Sequence, residues 1–252
     1  MTDGRICILI PVYNHPDSIT AVCASVAPFR LPVLLVDDGS DARCAGVLDG
    51  LAAQGHLLLR LSHNQGKGAA VRAGLQHAEQ LGFTHALQID ADGQHAVADL
   101  PGFLAAAEHT PQALTIGYPR YDASVSRSRF YGRYATHIWV WINTLSLDIR
   151  DSMCGARLYP LREVNALLNR HACGDRMAFD TEILVRWHWA GGQLRNLPVR
   201  VHYPTDGVSH FRLLRDNLQI SGMHTRLFFG MLLRLPRLLA ARLRRRSMEA
   251  AG

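Results

Sequence analysis

Residues 88–95, Gln88-Ile89-Asp90-Ala91-Asp92-Gly93-Gln94-His95, decide how the chain is read. An apolar run, Ala86 to Ile89, is short enough for a buried strand, and two carboxylates two residues apart follow as the chain leaves it. Hard oxygens at that spacing, with the amide of Gln94 behind them, suit Mg²⁺ or Mn²⁺ sharing its shell with phosphate oxygens. Asp90, Asp92 and Gln94 are therefore candidate metal ligands, although two aspartates at a strand end also fit a capping turn.

The same rhythm runs through the first 117 residues. Ile6 to Val12, Val33 to Val36, Leu57 to Leu61 and Ala113 to Ile116 read as further strands, with helices expected near 17–27, 42–54, 68–81 and 97–108. Such alternation predicts an α/β fold, a mostly parallel sheet with helices on both faces, and ligands at the carboxyl ends of the strands. Past residue 117 the rhythm changes. Residues 117–129 read as a loop, followed by helices at Tyr131 to Leu145 and Met177 to Trp189 and a strand from Leu194 to Tyr203.

The other strand ends are also polar. Strand one leads into Pro11-Val12-Tyr13-Asn14-His15-Pro16 and strand two into Asp37-Asp38-Gly39-Ser40-Asp41. Ser40 and Asp41 suit a turn or a helix cap, whereas Asp38, at the mouth of a parallel sheet, could accept hydrogen bonds from a base edge or a ribose. Strand three leads into Asn64-Gln65-Gly66-Lys67-Gly68, which lacks the spacing of a Walker motif. Small residues before a helix still let an anion approach its N-terminus, and Lys67 adds a point charge. A glycine turn with a solvated lysine is the competing reading.

Composition narrows the classes. With 252 residues, 48% apolar and 19% charged, the chain can bury a sizeable core without disulfides or metals. The five cysteines are too widely spaced for a disulfide framework or a zinc site and are expected to be reduced packing residues. No run of 18 apolar residues occurs and the start lacks the pattern of a signal peptide, so a cytoplasmic chain is expected. The net charge of +6 is local: of the 27 basic residues, seven arginines lie within 226–246, a stretch without an acid. Lys67 is the sole lysine.

PVYNH, VDDGSD, NQGKGAA, Gly74 and DADGQH, in that order, resemble family 2 glycosyltransferases with a GT-A fold, particularly the branch of dolichyl-phosphate mannose synthase and related polyprenyl-phosphate sugar transferases. The resemblance spans about Ile6 to Phe211 and implies a nucleotide-sugar donor, UDP- or GDP-linked, and a lipid-linked acceptor. By the same resemblance Pro11, Tyr13 and Asp38 hold the nucleoside, and Asp90, Ala91, Asp92 and Gln94 form the metal and diphosphate site. Three positions depart from the pattern. His15 stands where the family usually has Glu, and in Pro204-Thr205-Asp206-Gly207-Val208-Ser209-His210 the usual Arg and Lys become Pro204 and His210. His210 could still hydrogen-bond a phosphate, with a charge that depends on pH.

In the acceptor half, Asp148-Ile149-Arg150-Asp151-Ser152-Met153-Cys154-Gly155 resembles the segment whose aspartate faces sugar and acceptor, with Asp151 at the matching position. An alcohol acceptor needs such a carboxylate as base; a phosphate acceptor needs orientation instead. A bracing role for Asp151 is the alternative, and Asp148 is its substitute. Asp180 and Glu182 could contact the acceptor or cap a helix. Among Arg120, Arg127, Arg129 and Arg133, Arg127 is the first candidate to grip a lipid phosphate, against a solvated-loop reading for each.

The organisation expected is a domain at 1–211, with a nucleotide-binding half at 1–117 and an acceptor half at 118–211, and a basic amphipathic extension at 212–252. At about 100° per residue, Arg226, Arg234, Arg237, Arg244 and Arg245 fall on one arc opposite Leu, Phe and Met, the pattern of a helix lying on anionic lipid at the inner membrane face. Pro236 is expected to kink or divide it, and docking onto the body is the alternative. Nucleic acid is disfavoured, because aromatics are not interleaved with the arginines. A sugar-1-phosphate nucleotidyltransferase would need a glycine-rich basic loop after strand one, and a receiver domain an acidic pair there; PVYNHPD has neither. A catalytically impaired nucleotide-binding scaffold stays open because of His15, Pro204 and His210.

Overall fold

The computed structural model describes residues 5–93, 97–120, 127–200 and 213–249. A seven-stranded sheet organises them: β1 (Ile6–Val12), β2 (Val33–Asp37), β3 (Leu57–Arg60), β4 (His85–Gln88), β5 (Leu114–Arg120), β6 (Arg157–Pro160) and β7 (Leu194–Arg200). The order is β3-β2-β1-β4-β6-β5-β7, parallel except where β6 runs antiparallel to β4 and β5. The chain first builds outward, β1 to β2 to β3, then returns to place β4 on the free side of β1. Right-handed crossovers put the helices before and after that reversal on opposite faces, and the crevice at the reversal is where ligands bind in such sheets.

Side-chain alternation along β1 divides the core accordingly. Ile8, Ile10 and Val12 pack with α1 (Ile19–Val26), α2 (Ala42–Ala53) and α4 (Leu100–His109). Cys7 and Leu9 face the side of α3 (Lys67–Gln80), α6 (Leu161–Arg170) and α7 (Ala178–Trp189). All five cysteines are buried and free, and burial pushes the Cys7 and Cys173 thiols up to about 12, which suits packing residues.

Five elements differ from the sequence reading. β6 and α6 carry no assignment there: β6 is four buried residues that open on an arginine and end on a proline, and only its place between β4 and β5 makes it a strand. Gly117 to Arg120 extend β5, and α5 (Arg127–Thr144) begins at Arg127, so both ends of the expected loop belong to regular elements, and 121–126 lie outside the described residues. Helix α8 (Leu213–Glu249) starts well before 226 and runs through Pro236 without dividing. Leu232, whose carbonyl loses its partner to that proline, is exposed, so water can satisfy the freed group.

The tail also divides by packing rather than at the proline. Met223, Leu227 and Met231 are buried against α5 and α7, while Leu233 is 84% exposed. His224 stacks on Trp139 at 6.0 Å beside Asn143, and burial lowers its pKa to about 4. No helix among the described residues is long and apolar enough to cross a membrane.

Candidate active site

The loops after β1 and β2 lock together. Asn14, at φ 54°, donates its backbone N–H to Ser40 Oγ (3.1 Å), and its Oδ1 accepts from the Asp41 N–H (2.8 Å). Asp41 caps α2 through the Cys44 N–H (2.9 Å), so the capping expectation holds there. Pro11 and Tyr13 are half-buried at this mouth.

Asp38 is 2% exposed and turned toward the protein. Its Oδ1 accepts from the Gln65 N–H (2.8 Å), and its Oδ2 from the Gly66 N–H (2.8 Å) and Asn64 Nδ2 (3.0 Å). Burial raises its pKa, partly offset by those amides. Asp37 binds the Ser40 N–H and Arg60 Nε.

The glycines of the 64–68 turn admit protein rather than an anion, which corrects the expectation of a phosphate cradle at the α3 N-terminus. A Cβ on Gly66 would lie 2.5 Å from the Asp175 carbonyl oxygen, and one on Gly68 would lie 2.4 Å from Phe179 Cβ. The Ala69 N–H already donates to the Asp175 carbonyl (2.9 Å). Lys67 is likewise not solvated: Nζ reaches Asp90 Oδ1 at 2.8 Å and Asp180 Oδ2 at 3.2 Å. Burial works against the ammonium, but the Asp180 and Asp90 carboxylates outweigh it and its pKa rises.

Asp90 thus sits at the β4 end of the crevice with a cation already beside it. The opposite wall is Gly155, where a Cβ would fall 1.9 Å from Asp90 Oδ2; only glycine lets the acceptor-side loop touch this carboxylate. Ala91 is buried and its carbonyl accepts from Ser18 Oγ (2.7 Å), while Asp92 is half-buried. Among the described residues no cluster of three or more His, Cys, Asp or Glu forms a ready-made metal cage. Two carboxylates still fit Mg²⁺ or Mn²⁺, which take one or two such ligands and draw the rest from phosphate and water. The contact of Lys67 with Asp90 shows that this position takes a positive charge. Gln94 lies outside the described residues, as do Pro204 and His210.

Behind Gly155, a fully buried guanidinium holds the loop in shape. Arg157 donates to the carbonyls of Cys154 (2.9 Å), Ser152 (2.8 Å) and Asp180 (2.7 Å). Nothing in the sequence announces this residue, because an arginine's burial depends on carbonyls brought in from elsewhere. Asp151, 2% exposed, accepts the Met153 and Cys154 N–H groups on Oδ1 (2.8 and 2.7 Å), the bracing role held open above. Its Oδ2 lies 3.3 Å from His137 Nε2 on α5.

The remaining candidates disperse. Asp148 lines an open depression of about 680 Å³ with Leu147, Arg150 and Arg195, at the amino ends of β5 and β7. Since β5 runs with β4, that depression is at the wrong end of the sheet, and Asp148 is no substitute for Asp151. Glu182 is structural, tying the Gly174 N–H and Arg186. Arg127 and Arg129 lie on α5 rather than on a loop, and Arg133 lies on that helix as expected; their side chains are outside the described residues.

A family model described as glycosyl transferase family 2 matches residues 7–179. An uncharacterised protein of Methanocaldococcus jannaschii is 26% identical over 210 residues, 80% of this chain and 90% of that protein. A dolichyl-phosphate beta-glucosyltransferase of Trichomonas vaginalis is 32% identical over 171 residues, 62% of this chain and half of that protein's length. In fold, glucosyl-3-phosphoglycerate synthase from Mycobacterium tuberculosis, crystallised with Mn²⁺, uridine diphosphate and phosphoglyceric acid, covers 92% of this chain and 78% of its own at a TM-score of 0.66 and 15% identity.

Proposed function

The chain belongs to glycosyl transferase family 2, and from that premise we propose an inverting, metal-dependent transfer of a sugar from a nucleotide donor, UDP- or GDP-linked, to a lipid-linked acceptor such as a polyprenyl phosphate. The acceptor class comes from relatives named for dolichyl-phosphate and undecaprenyl-phosphate transfer, of whose length this chain spans about half. The observation that carries the reading is the contact at Asp90. The strand end that takes a cation and the loop that carries Asp151 meet there, with Gly155 against the carboxylate.

Pro11 and Tyr13 border the nucleoside in this reading. Asp38 acts on it through the Asn64–Gly66 turn it holds, and Ala91 and His210 border the diphosphate. Asp90, Asp92 and Gln94 would hold the Mg²⁺ or Mn²⁺, which when bound offsets the negative charge of the departing nucleotide. Lys67 balances Asp90 and Asp180 at the edge of that charge. The acceptor oxygen approaches C1 of the sugar from the side opposite the nucleotide, and Asp151 takes the proton of an alcohol acceptor, whereas a phosphate acceptor is already ionised and needs orientation rather than a base. Arg127 grips such a phosphate.

The exposed part of α8 would rest on the cytoplasmic membrane face. Leu233, Leu239 and Leu243 are exposed there, with Arg237 and Arg242, and Trp139 and Ile138 of α5 are exposed as well. Changing Leu233, Leu239 and Leu243 to Glu, rather than deleting from 226, leaves the buried Leu227 and Met231 in place. This variant should fail to co-sediment with anionic liposomes that retain the parent protein.

A thermal-shift panel of UDP- and GDP-sugars with and without Mn²⁺, followed by transfer of labelled sugar to a polyprenyl phosphate in micelles, tests the reaction. Binding to the folded state raises the melting temperature, and a rise for one donor that needs Mn²⁺ is the expected result. No shift with any donor, together with no labelled lipid, would refute the proposal.

A further inference from the structure

The register of the sheet aligns the crevice with a tyrosine one strand beyond the acceptor loop. Gln88 of β4 and Ile116 of β5 both pair with Arg157 of β6. Counting two residues toward the carboxyl ends of β4 and β5, and two back along β6, puts Asp90, Gly155 and Tyr118 in one row. Two contacts agree with that count: Gly155 abuts Asp90, and the Gly117 N–H donates to the Ala156 carbonyl (2.9 Å). Residues in one row project to the same face, and Tyr118 stands two strand spacings, about 10 Å, from Asp90. Arg150 covers this tyrosine. Its guanidinium lies 5.1 Å from the ring centroid, and Nη1 donates to the Tyr118 hydroxyl (3.2 Å). The Arg150 N–H is held by Asn196 Oδ1 (3.2 Å), two residues before the partner of Tyr118 on β7. Arg150 therefore closes the depression beside Asp148 with its backbone, while its side chain reaches the row of Asp90.

A guanidinium stacked on a ring keeps most of its N–H donors at its edges, where an arginine takes phosphate oxygens in pairs. Arg150 is exposed and has no carboxylate partner among the described residues, whereas Arg60, Arg72 and Arg200 are each tied to an aspartate. Neither carboxylate of its own loop pairs with it: Asp151 is buried with Oδ1 on the Met153 and Cys154 N–H groups, and Asp148 lies 3.8 Å from His188 of α7. We propose that Arg150 binds the phosphate of the acceptor and selects an anionic acceptor over a neutral alcohol. The group recognised is a phosphate monoester, carried by a lipid or by a small soluble molecule. With the donor diphosphate at Asp90, two strand spacings leave room for one sugar ring between the two anions. This rests on the function proposed above and adds a described side chain to the role given there to Arg127.

The test pairs a binding and a kinetic arm, on full-length variants checked for cooperative melting. In calorimetry with Mn²⁺, geranyl phosphate should bind the wild-type protein about tenfold or more tighter than geraniol, the uncharged control. Arg150→Gln should remove that preference. Asp92→Asn should keep it, which separates this site from phosphate binding at the donor metal. Arg150→Lys, with the charge but neither the stack nor the fork, should recover only part of it. Glycerol 3-phosphate bound as tightly as geranyl phosphate supports the site with a small soluble acceptor, and weaker binding supports it with a lipid one. With the donor found above and a polyprenyl phosphate, Arg150→Gln should raise acceptor KM about tenfold or more while donor KM stays within about twofold. Tyr118→Leu should raise acceptor KM by less. Equal affinity of wild type and Arg150→Gln for geranyl phosphate, no preference of wild type for it over geraniol, or an unchanged acceptor KM in Arg150→Gln would overturn the proposal. Binding that depends on Arg150, with no transfer from any donor, would instead sink the transfer reaction and leave the site standing.

Discussion

The two acidic strand ends, Asp37-Asp38 after β2 and Asp90-Ala91-Asp92 after β4, look alike as text and are used differently. Asp38 is satisfied by three donors of its own fold, two of them backbone amides that cannot move without rebuilding the 64–66 turn. Asp90 is balanced by the ammonium of Lys67, a side chain shared with Asp180. Carboxylates closed on amides are scaffold, while a carboxylate balanced by a side-chain cation can exchange that cation for another. On the function proposed above, the second strand end would carry the chemistry and the first would support it.

Truncating the scaffold carboxylate should have the largest effect. Asp38→Ala leaves three donors without a partner and should cost about 3 kcal/mol or more in urea unfolding, at about 1–3 kcal/mol per buried group left unmade. A loss below 1 kcal/mol would break the comparison.

Next in size is an acid effect that has to be kept apart from both strand ends, because His224 carries it. Its folded pKa, about 4, lies below the ordinary 6.5, so the unfolded chain binds the proton first. Its contribution is fully present above pH 6.5 and is lost as pH falls toward 4, up to about 3 kcal/mol at about 1.4 kcal/mol per unit. His224→Phe should flatten this slope in chemical unfolding between those pH values, and an unchanged slope would contradict it.

Smaller still is the cost at the exchangeable end. Asp90→Asn should lose about 1 kcal/mol, because Lys67 keeps Asp180 and the site is part-exposed. Lys67→Met should be stabilised by Mn²⁺ more than the parent protein, in melting temperature, since the metal then no longer competes with the ammonium at Asp90. Mn²⁺ that stabilises both equally would remove the exchange idea.

Much of this was legible beforehand, for identifiable reasons. Parallel strands buried on both faces read as apolar runs, and their polar ends read as a site, so β1 to β4 and Asp90 stood out. What escaped depends on partners distant in the chain. β6 is a strand by virtue of its neighbours, Arg157 is tolerable inside because three carbonyls converge on it, and the glycines of the 66–68 turn could not say whether an anion or Asp175 approaches them. Arginine periodicity placed a helix at the C-terminal end, but its docked first half, from Leu213, carries no such stripe.

Calorimetric titration of UDP, and of GDP, into the wild-type protein with Mn²⁺, with chelator, and into Asp92→Asn with Mn²⁺ addresses the exchangeable strand end directly. One nucleotide should bind wild type in Mn²⁺ and weaken by about tenfold or more both in chelator and in the variant. Equal affinity in all three titrations would contradict a metal-assisted diphosphate site at Asp90 and Asp92.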